Sequence, residues 1–326
     1  MNELLQVDQL AVEFDTDHGR VRAVDGVSFA VRPGEALGMV GESGCGKSVT
    51  ALSIMRLLPS PPGHLAGGSI LWGGRDLLKI PVPELRQIRG RQISMIFQDP
   101  MSALSPLHPI GRQLVETVRL HRPLPPAEAW SLGEAWLRKV GIPDPAQRMH
   151  SLPHELSGGM RQRVLIAMAM MLEPALVIAD EPTTALDVTI QAQIFDLMRQ
   201  LREATNSALL LITHDMGVIW EMCSRVLVMY AGRVVEEGPV AEVFAAPRHP
   251  YTAGLLKSMP RAQQKGRRLI SIPGQVPAPG QLPAGCRFAD RCPHVFPRCR
   301  AEDPRPLAVN TDHHAACFLV AEGRTP

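Results

Sequence analysis

The chain lacks any apolar run long enough to cross a lipid bilayer. Its longest apolar stretches, residues 164–172 and 208–212, are well short of the roughly 18 residues that a membrane-spanning helix needs. The first ten residues include Glu3 and Asp8 and show no basic segment followed by an apolar one, the pattern of a secretory signal. The sequence therefore predicts a protein that folds in the cytoplasm and spans no membrane by itself.

An excess of charge of one sign is also missing. Lysine and arginine total 34 against 32 for aspartate and glutamate, which gives a net charge of +2. Binding to DNA or RNA depends largely on positive side chains that neutralise phosphates, so this balance argues against nucleic acid as a partner. With 326 residues, of which 45% are hydrophobic, the chain is long enough for two domains with a sizeable core.

Cysteine is scarce, but its distribution is uneven. Of six cysteines, four lie after residue 285, namely Cys286, Cys292, Cys299 and Cys317. In a reducing compartment such a cluster favours a metal site over disulfides. Four thiolates can hold an iron–sulfur cluster or a tetrahedral zinc ion, and the spacing does not separate the two; buried free thiols are the remaining alternative.

The order of the predicted elements indicates an α/β fold. Apolar and polar residues alternate over residues 4–14 and 21–31, which predicts an antiparallel β subdomain at the start. A strand at 36–40 precedes a helix at 48–58, an all-helical insertion covers about residues 99–172, and strands at 175–179, 208–213 and 226–229 alternate with a helix at 190–203. We expect a mostly parallel sheet in a domain of residues 1–238, followed by an irregular, cysteine-rich appendage of residues 239–326.

A glycine-rich stretch between the strand at 36–40 and the next helix matches the phosphate-binding pattern G-x-x-x-x-G-K-[ST]. Backbone N–H groups of such a loop surround phosphates at the positive end of the helix dipole. We expect Lys47 to contact the β- and γ-phosphates of a nucleotide and Ser48 to ligate Mg²⁺. Cys45, beside Lys47 at the helix start, is expected to have some thiolate character. The predicted nucleotide-binding residues of this loop are Gly41, Glu42, Ser43, Gly44, Cys45, Gly46, Lys47 and Ser48.

Two acidic residues follow the buried strand at residues 175–179. Asp180 and Glu181 should emerge at the edge of the sheet where ligands bind. There Asp180 can hold Mg²⁺ through water, and Glu181 can polarise the water that attacks the γ-phosphate.

The residues Leu-Ser-Gly-Gly-Met at 156–160 open a helix. Ser157 is placed as its N-cap, and Gly158 and Gly159 leave N–H groups free for an anion. This stretch resembles the signature sequence of ATP-binding cassette proteins, although the last residue, commonly Gln, is Met160 here. In that family the signature of one subunit closes over ATP held by the other, so the resemblance implies a head-to-tail dimer with two shared nucleotide sites.

Further residues of that family occur in the expected order. Gln98 follows the strand at 93–97, Asp187 follows the acid pair, and His214 follows the strand at 208–213. Gln98 offers an amide to Mg²⁺ or the attacking water, and His214 can hydrogen-bond the γ-phosphate and hold Glu181. The resemblance implies that Asp187 belongs to the nucleotide site. It also implies an aromatic ring stacked on adenine, for which Phe14 and His18 are both candidates.

Over residues 4–320 the chain resembles the D-type ATPase subunit of the dipeptide and oligopeptide permeases. The resemblance rests on residues 41–44, 157–164, 179–189 and 249–251 and on the tail that begins at Leu282. It implies an ATPase that drives uptake of short peptides from the cytoplasmic face of the inner membrane. Its implied partners are an F-type ATPase subunit, two membrane permease subunits and an extracytoplasmic peptide-binding protein. For the tail it implies a four-iron four-sulfur cluster, with zinc as the alternative.

Two other functions are compatible with parts of the pattern. The same ATPase role could serve nickel or another small solute, because the ATPase does not contact the cargo. A soluble cassette ATPase outside transport is disfavoured, since residues 49–155 lack the sustained heptads of a long coiled-coil insertion. Which peptide is carried, and whether the second ATPase is a copy or a homologue, stays open.

Overall fold

The protein is built around two β-sheets. The computed structural model describes residues 3–17, 19–99, 103–184, 186–259, 271–278 and 280–326. The strands are β1 Leu5–Thr16, β2 Gly19–Val31, β3 Ala36–Val40, β4 Gly63–Trp72, β5 Arg75–Asp76, β6 Ile93–Ile96, β7 Leu176–Asp180, β8 Ala208–Thr213, β9 Arg225–Tyr230, β10 Arg233–Pro239, β11 Leu307–Ala308 and β12 His314–Ala315.

The smaller sheet is antiparallel and has the order β2-β1-β4-β5. Along β1 the residues Leu5, Val7, Leu10 and Val12 are buried, whereas most of the residues between them are exposed or half-buried. This alternation buries one face against the core. The antiparallel sheet predicted at the start of the chain is therefore confirmed.

The larger sheet has the order β11-β12-β10-β9-β3-β8-β7-β6. The five strands from β9 to β6 are parallel, and β10, β12 and β11 add to one side as antiparallel strands. Every residue of β3, β7 and β8 is buried, as expected of parallel strands covered on both faces. The mostly parallel sheet predicted from the sequence is confirmed, and its strands end together at one edge.

Helices surround the larger sheet and form the insertion between β6 and β7. The helices are α1 Lys47–Ile54, α2 Val82–Ile88, α3 Ile110–Arg119, α4 Pro126–Lys139, α5 Pro145–Arg148, α6 Gly158–Met170, α7 Val188–Thr205, α8 Met216–Met222, α9 Val240–Ala245, α10 Pro250–Ser258, α11 Pro297–Ala301 and α12 Phe318–Ala321. Helices α3 to α6 occupy most of the predicted helical insertion. None of the helices in the described part of the chain combines the length and apolar character needed to span a bilayer.

The residues after Pro239 are less irregular than their proline and glycine content indicates. Strand β12 pairs with β10, so the C-terminal part contributes strands to the larger sheet. Beside this pairing, His313, the residue before β12, places its Nε2 at 2.8 Å from Oε1 of Glu236 on β10, and both side chains are buried. The cysteine-rich appendage is thus not confirmed as a separate irregular unit, because the sheet of the preceding residues continues into it. The division at residue 238 stays a prediction.

Candidate nucleotide site

The glycine-rich loop joins the carboxyl end of β3 to α1. Lys47 Nζ donates hydrogen bonds to the carbonyl oxygens of Gly41, at 2.7 Å, and Glu42, at 3.1 Å. The Lys47 side chain is 5% exposed, so the loop is closed around its ammonium group. Gly46 has φ of +103°, a conformation that glycine adopts without strain. An added Cβ at Gly41 would overlap the carbonyl oxygen of Met229.

Two of the predicted magnesium ligands meet although they lie on different elements, Ser48 in α1 and Asp180 at the end of β7. Ser48 Oγ donates a 3.0 Å hydrogen bond to Asp180 Oδ1, although 132 residues separate them. Burial raises the pKa of Asp180, and the hydrogen bond from Ser48 opposes that shift. A hydroxyl and a carboxylate placed side by side are oxygen donors of the kind that Mg²⁺ prefers, so these residues fit the ion. The third predicted ligand, Gln98, contacts Glu181 instead.

The three predicted catalytic side chains meet around Glu181. Gln98 Nε2 donates to Glu181 Oε2 at 3.2 Å, and His214 Nδ1 lies 3.4 Å from Glu181 Oε1. Thr184 Oγ1 also donates to Glu181 Oε2, at 3.0 Å. Sequence reasoning missed Thr184, whose only signal was its position three residues after Glu181. Glu181 itself has φ of +44°, a left-handed conformation that ends the extended backbone of β7.

Cys45 does not have the reactive thiol that the sequence predicts. The side chain is fully buried, and burial raises its pKa above the ordinary value, despite the opposing charge of Lys47. Desolvation of the thiolate therefore outweighs the attraction to the ammonium group, whose Nζ lies 3.7 Å from Cys45 Sγ. The prediction of thiolate character at Cys45 is wrong.

The predicted signature residues lie beside the start of α7. Ser157 Oγ caps α6 by accepting from the N–H of Met160, at 3.3 Å. An added Cβ at Gly159 would lie 3.0 Å from a methyl carbon of Ile190, so the glycine pair permits close packing against α7. Asp187 Oδ1 accepts from the N–H of Ile190 and caps that helix. Nucleotide contacts by Ser157, Gly158, Gly159 and Asp187 stay predictions.

Of the two residues predicted to stack on adenine, only Phe14 lies within the described residues. Phe14 is half-buried at the end of β1, and its ring packs beside Gly63, where an added Cβ would lie 3.1 Å from Cε1. His18 lies outside the described residues. The choice between them stays open.

The C-terminal part reaches the phosphate loop at Glu42. Arg291 donates from Nη1 to Glu42 Oε2 at 2.6 Å and from Nη2 to Glu42 Oε1 at 3.0 Å. The N–H of Glu42 donates to Tyr251 Oη at 2.9 Å. Sequence reasoning assigned no role to Arg291, and local pattern carries no signal for a contact over this separation.

The four C-terminal cysteines line one cavity, together with His249 and Phe288. Burial raises the pKa of Cys286 to about 11, that of Cys317 to about 12 and that of Cys292 above its ordinary value. In the part of the chain that the structure describes, no group of three or more His, Cys, Asp or Glu side chains is arranged to hold a metal ion. The predicted iron–sulfur or zinc site is therefore not confirmed.

Comparison with known proteins gives the family. The model of the ABC transporter family matches residues 24–184, and that of the oligopeptide/dipeptide transporter C-terminal region matches residues 235–299. The chain is 50% identical to a probable peptide ABC transporter ATP-binding protein of Sinorhizobium fredii, over 98% of this chain and 96% of that protein. The chain belongs to the ATP-binding proteins of peptide ABC transporters.

Other relatives agree with this family. The chain is 48% identical to the oligopeptide transport ATP-binding protein OppD of Salmonella typhimurium, over 98% of this chain and 95% of that protein. A dimeric ATP-binding cassette bound to ADP and Pi shares the fold, with a TM-score of 0.65 and 24% identity over 72% of this chain and 98% of that chain. A subunit of the cbiONQ transporter complex from Clostridium perfringens has a TM-score of 0.62 and 26% identity, covering 75% and 92% of the two chains. This ABC protein is thus an ATP-hydrolysing subunit of a transporter.

Proposed function

We propose that this ABC ATPase energises the import of dipeptides or oligopeptides through separate membrane permease subunits. The substrate class is supported by the match of residues 235–299 to the peptide-transporter C-terminal region and by relatives named as peptide import ATP-binding proteins. The observation that carries the ATPase site is the convergence of Gln98, Thr184 and His214 on the Glu181 carboxylate. Import of nickel or another small solute is the alternative cargo.

In the proposed site, Lys47 binds the nucleotide phosphates. Its ammonium group is held by two loop carbonyl oxygens, and phosphate oxygens would replace these neutral acceptors with charged ones. The N–H groups at the start of α1 also favour an anion. When bound, Mg²⁺ would be held by Ser48 and Asp180 and would offset phosphate charge.

Glu181 is the proposed base that orients the attacking water. Its side chain is 17% exposed, so it is not closed off from water. Gln98 and Thr184 hold Oε2, which leaves Oε1 for the water and for His214. His214 is 69% exposed and would reach the γ-phosphate once a nucleotide is present.

The proposed partners follow from the family. A second ATPase subunit, for which we propose an F-type homologue, would place its signature residues over the nucleotide of this chain, and Ser157, Gly158 and Gly159 would serve its site in return. Two permease subunits and an extracytoplasmic peptide-binding protein would complete the importer at the cytoplasmic face of the inner membrane. We propose that the loop at residues 99–104 and the helical insertion form the groove that receives a cytoplasmic helix of the permease; residues 100–102 lie outside the described residues.

We also propose that the cavity lined by Cys286, Cys292, Cys299 and Cys317 binds a four-iron four-sulfur cluster, or else zinc. The support is that all four cysteines line one cavity, and a bound metal would stabilise the deprotonated thiolates that ligation needs. Protein purified anaerobically should be brown and contain roughly four iron atoms per chain. One tightly bound zinc ion would replace the cluster in this proposal, and metal-free protein with four reduced thiols would refute both.

Uptake of the cargo tests the proposed function. Cells that depend on this chain for the transporter would receive the wild-type gene, the Lys47→Ala variant or an Arg300→Ala control, in which an exposed ion pair with Asp290 is removed. We expect labelled dipeptide uptake with the wild type and the control and none with Lys47→Ala. If Lys47→Ala abolished nickel uptake but left peptide uptake unchanged, the peptide assignment would be refuted.

A further inference from the structure

Glu42, the second residue of the phosphate loop, has all its polar groups occupied. Its N–H donates to Tyr251 Oη at 2.9 Å, and its carbonyl oxygen accepts from Lys47 Nζ at 3.1 Å. Both carboxylate oxygens accept from Arg291, at 2.6 and 3.0 Å. The loop is therefore held from one side by its own lysine and from the other by residues of the C-terminal part.

The Arg291 guanidinium is also held by contacts with residues other than Glu42. Its side chain is only 5% exposed, and that of Glu42 is 30% exposed. Nε donates to the carbonyl oxygen of Pro273 at 2.9 Å, and Nη1 lies within 3.3 Å of Tyr230 Oη. A planar guanidinium held in this way makes a stronger and more directional contact with a carboxylate than an exposed ion pair does.

Aromatic rings support the residues that contact Glu42. Tyr230 and Tyr251 pack with ring centroids 4.7 Å apart, and Phe288 contacts both, at 5.2 and 5.5 Å. Phe288 precedes the turn Ala289–Arg291, so the cluster joins the C-terminal part to the strand β9 beside the phosphate loop. Because these rings are buried, the segment that carries Arg291 is packed against the core.

We propose that Arg291 is a positioning residue of the nucleotide site. By binding both carboxylate oxygens of Glu42, it fixes the backbone of the phosphate loop in the arrangement that receives the nucleotide phosphates. The C-terminal part therefore completes the ATP site of the same chain, in addition to any role in transport. This inference rests on the proposed binding of ATP by residues 41–48.

A simpler role for the pair would be to anchor the C-terminal part to the core. An anchor would change the stability of the protein but not its affinity for nucleotide once folded. A positioning residue changes the affinity, and its effect disappears when Glu42 no longer carries a charge. Measurements of both quantities on the same variants separate the two roles.

The experiment measures MgATP binding to the purified full-length chain by titration calorimetry, with the thermal unfolding temperature recorded for each variant. The variants are Arg291→Gln, Arg291→Lys, Glu42→Gln and the double variant Glu42→Gln/Arg291→Gln. Arg300→Ala is the control, because Arg300 lies in the same part of the chain but pairs with exposed Asp290. Lys47→Ala tests the nucleotide site itself.

We expect Arg291→Gln to weaken MgATP binding roughly tenfold, as expected for loss of a charge-assisted contact. Arg291→Lys should lose less MgATP affinity, because lysine keeps the positive charge although it cannot reproduce the two parallel hydrogen bonds of the guanidinium group. The double variant should bind MgATP no more weakly than the single variant with the lower affinity, since the two residues act through one contact. Arg300→Ala should stay within about twofold of the wild type.

Unchanged MgATP affinity in Arg291→Gln, with a lower unfolding temperature, would show an anchor and overturn the inference. If the fold-losses in MgATP affinity of the two single variants multiply in the double variant, the two residues act independently, and this result would overturn the inference as well. Should Arg291→Gln fail to fold, Arg291→Lys and Glu42→Gln decide by the same criteria. A wild-type chain that does not bind MgATP, or a Lys47→Ala variant that binds it equally well, would instead refute the proposed nucleotide site.

Discussion

Replacement of Glu181 by glutamine tests the chemistry of the site with little change in shape. Thr184 and Gln98 both donate to Oε2, so the amide oxygen can keep both contacts there, but the NH₂ group that replaces Oε1 cannot accept a hydrogen bond from His214. The loss of one such hydrogen bond costs about 1 kcal/mol of local stability. The loss of the negative charge removes the group that polarises the attacking water, and general-base catalysis contributes about 10²- to 10⁴-fold to a rate.

We therefore expect Glu181→Gln to lower ATP turnover by about 10²- to 10⁴-fold while MgATP binding changes by less than about threefold. The assay is steady-state phosphate release at saturating MgATP in the assembled transporter, together with equilibrium nucleotide binding. The matched control is Glu173→Gln, because Glu173 has a similar left-handed backbone, with φ of +52°, but is exposed in the segment after α6. This control should leave both quantities unchanged.

Two results would refute the reasoning about Glu181. Turnover within about fivefold of the wild type would show that the carboxylate does not supply the base. A parallel loss of turnover and of MgATP affinity would show that Glu181 supports the shape of the site, because an interaction made only in the transition state lowers turnover alone.

Three further outcomes are expected. Cys45 should resist iodoacetamide in the native protein, because burial raises its pKa, and rapid labelling seen by mass spectrometry would contradict this. Burial lowers the pKa of His249 to about 4, so between pH 6.5 and 4 the unfolded chain binds more protons than the folded protein, and the unfolding free energy should fall as the pH drops through this range. In denaturant titrations, His249→Asn should show a weaker dependence of the unfolding free energy on pH. Gly41→Ala should unfold the loop, since its Cβ would overlap the Met229 carbonyl oxygen, whereas Gly44→Ala, with open space around the added atom, should cost about 1 kcal/mol in thermal unfolding.

Local motifs of the chain were predictable from sequence because their geometry depends on contiguous residues. The phosphate loop lies between β3 and α1, and Ser157 caps α6 as its type and position predict. The apolar strand before Asp180 and Glu181 predicted that these acids emerge at the edge of the sheet, and the parallel pairing of β7 with β8 brings His214 to the same edge. The family resemblance added Gln98, which no pattern of a few residues could have selected.

Contacts between distant segments needed the tertiary structure. The prolines and glycines after Pro239 predict an irregular segment, because the local sequence does not show that β12 pairs with β10. The sequence predicts a reactive Cys45 for a similar reason, since it shows the nearby lysine charge but not the burial that opposes it.

The sequence by itself determined the class of protein, the nucleotide-binding loop and the acidic residues beside it, because backbone conformation and side-chain chemistry within a short segment are enough to recognise them. Only the tertiary structure decided that Arg291 meets Glu42, 249 residues away, and that Thr184 joins Gln98 at the Glu181 carboxylate. Such pairings depend on how buried elements pack, and packing is a property of the whole core that no single segment encodes.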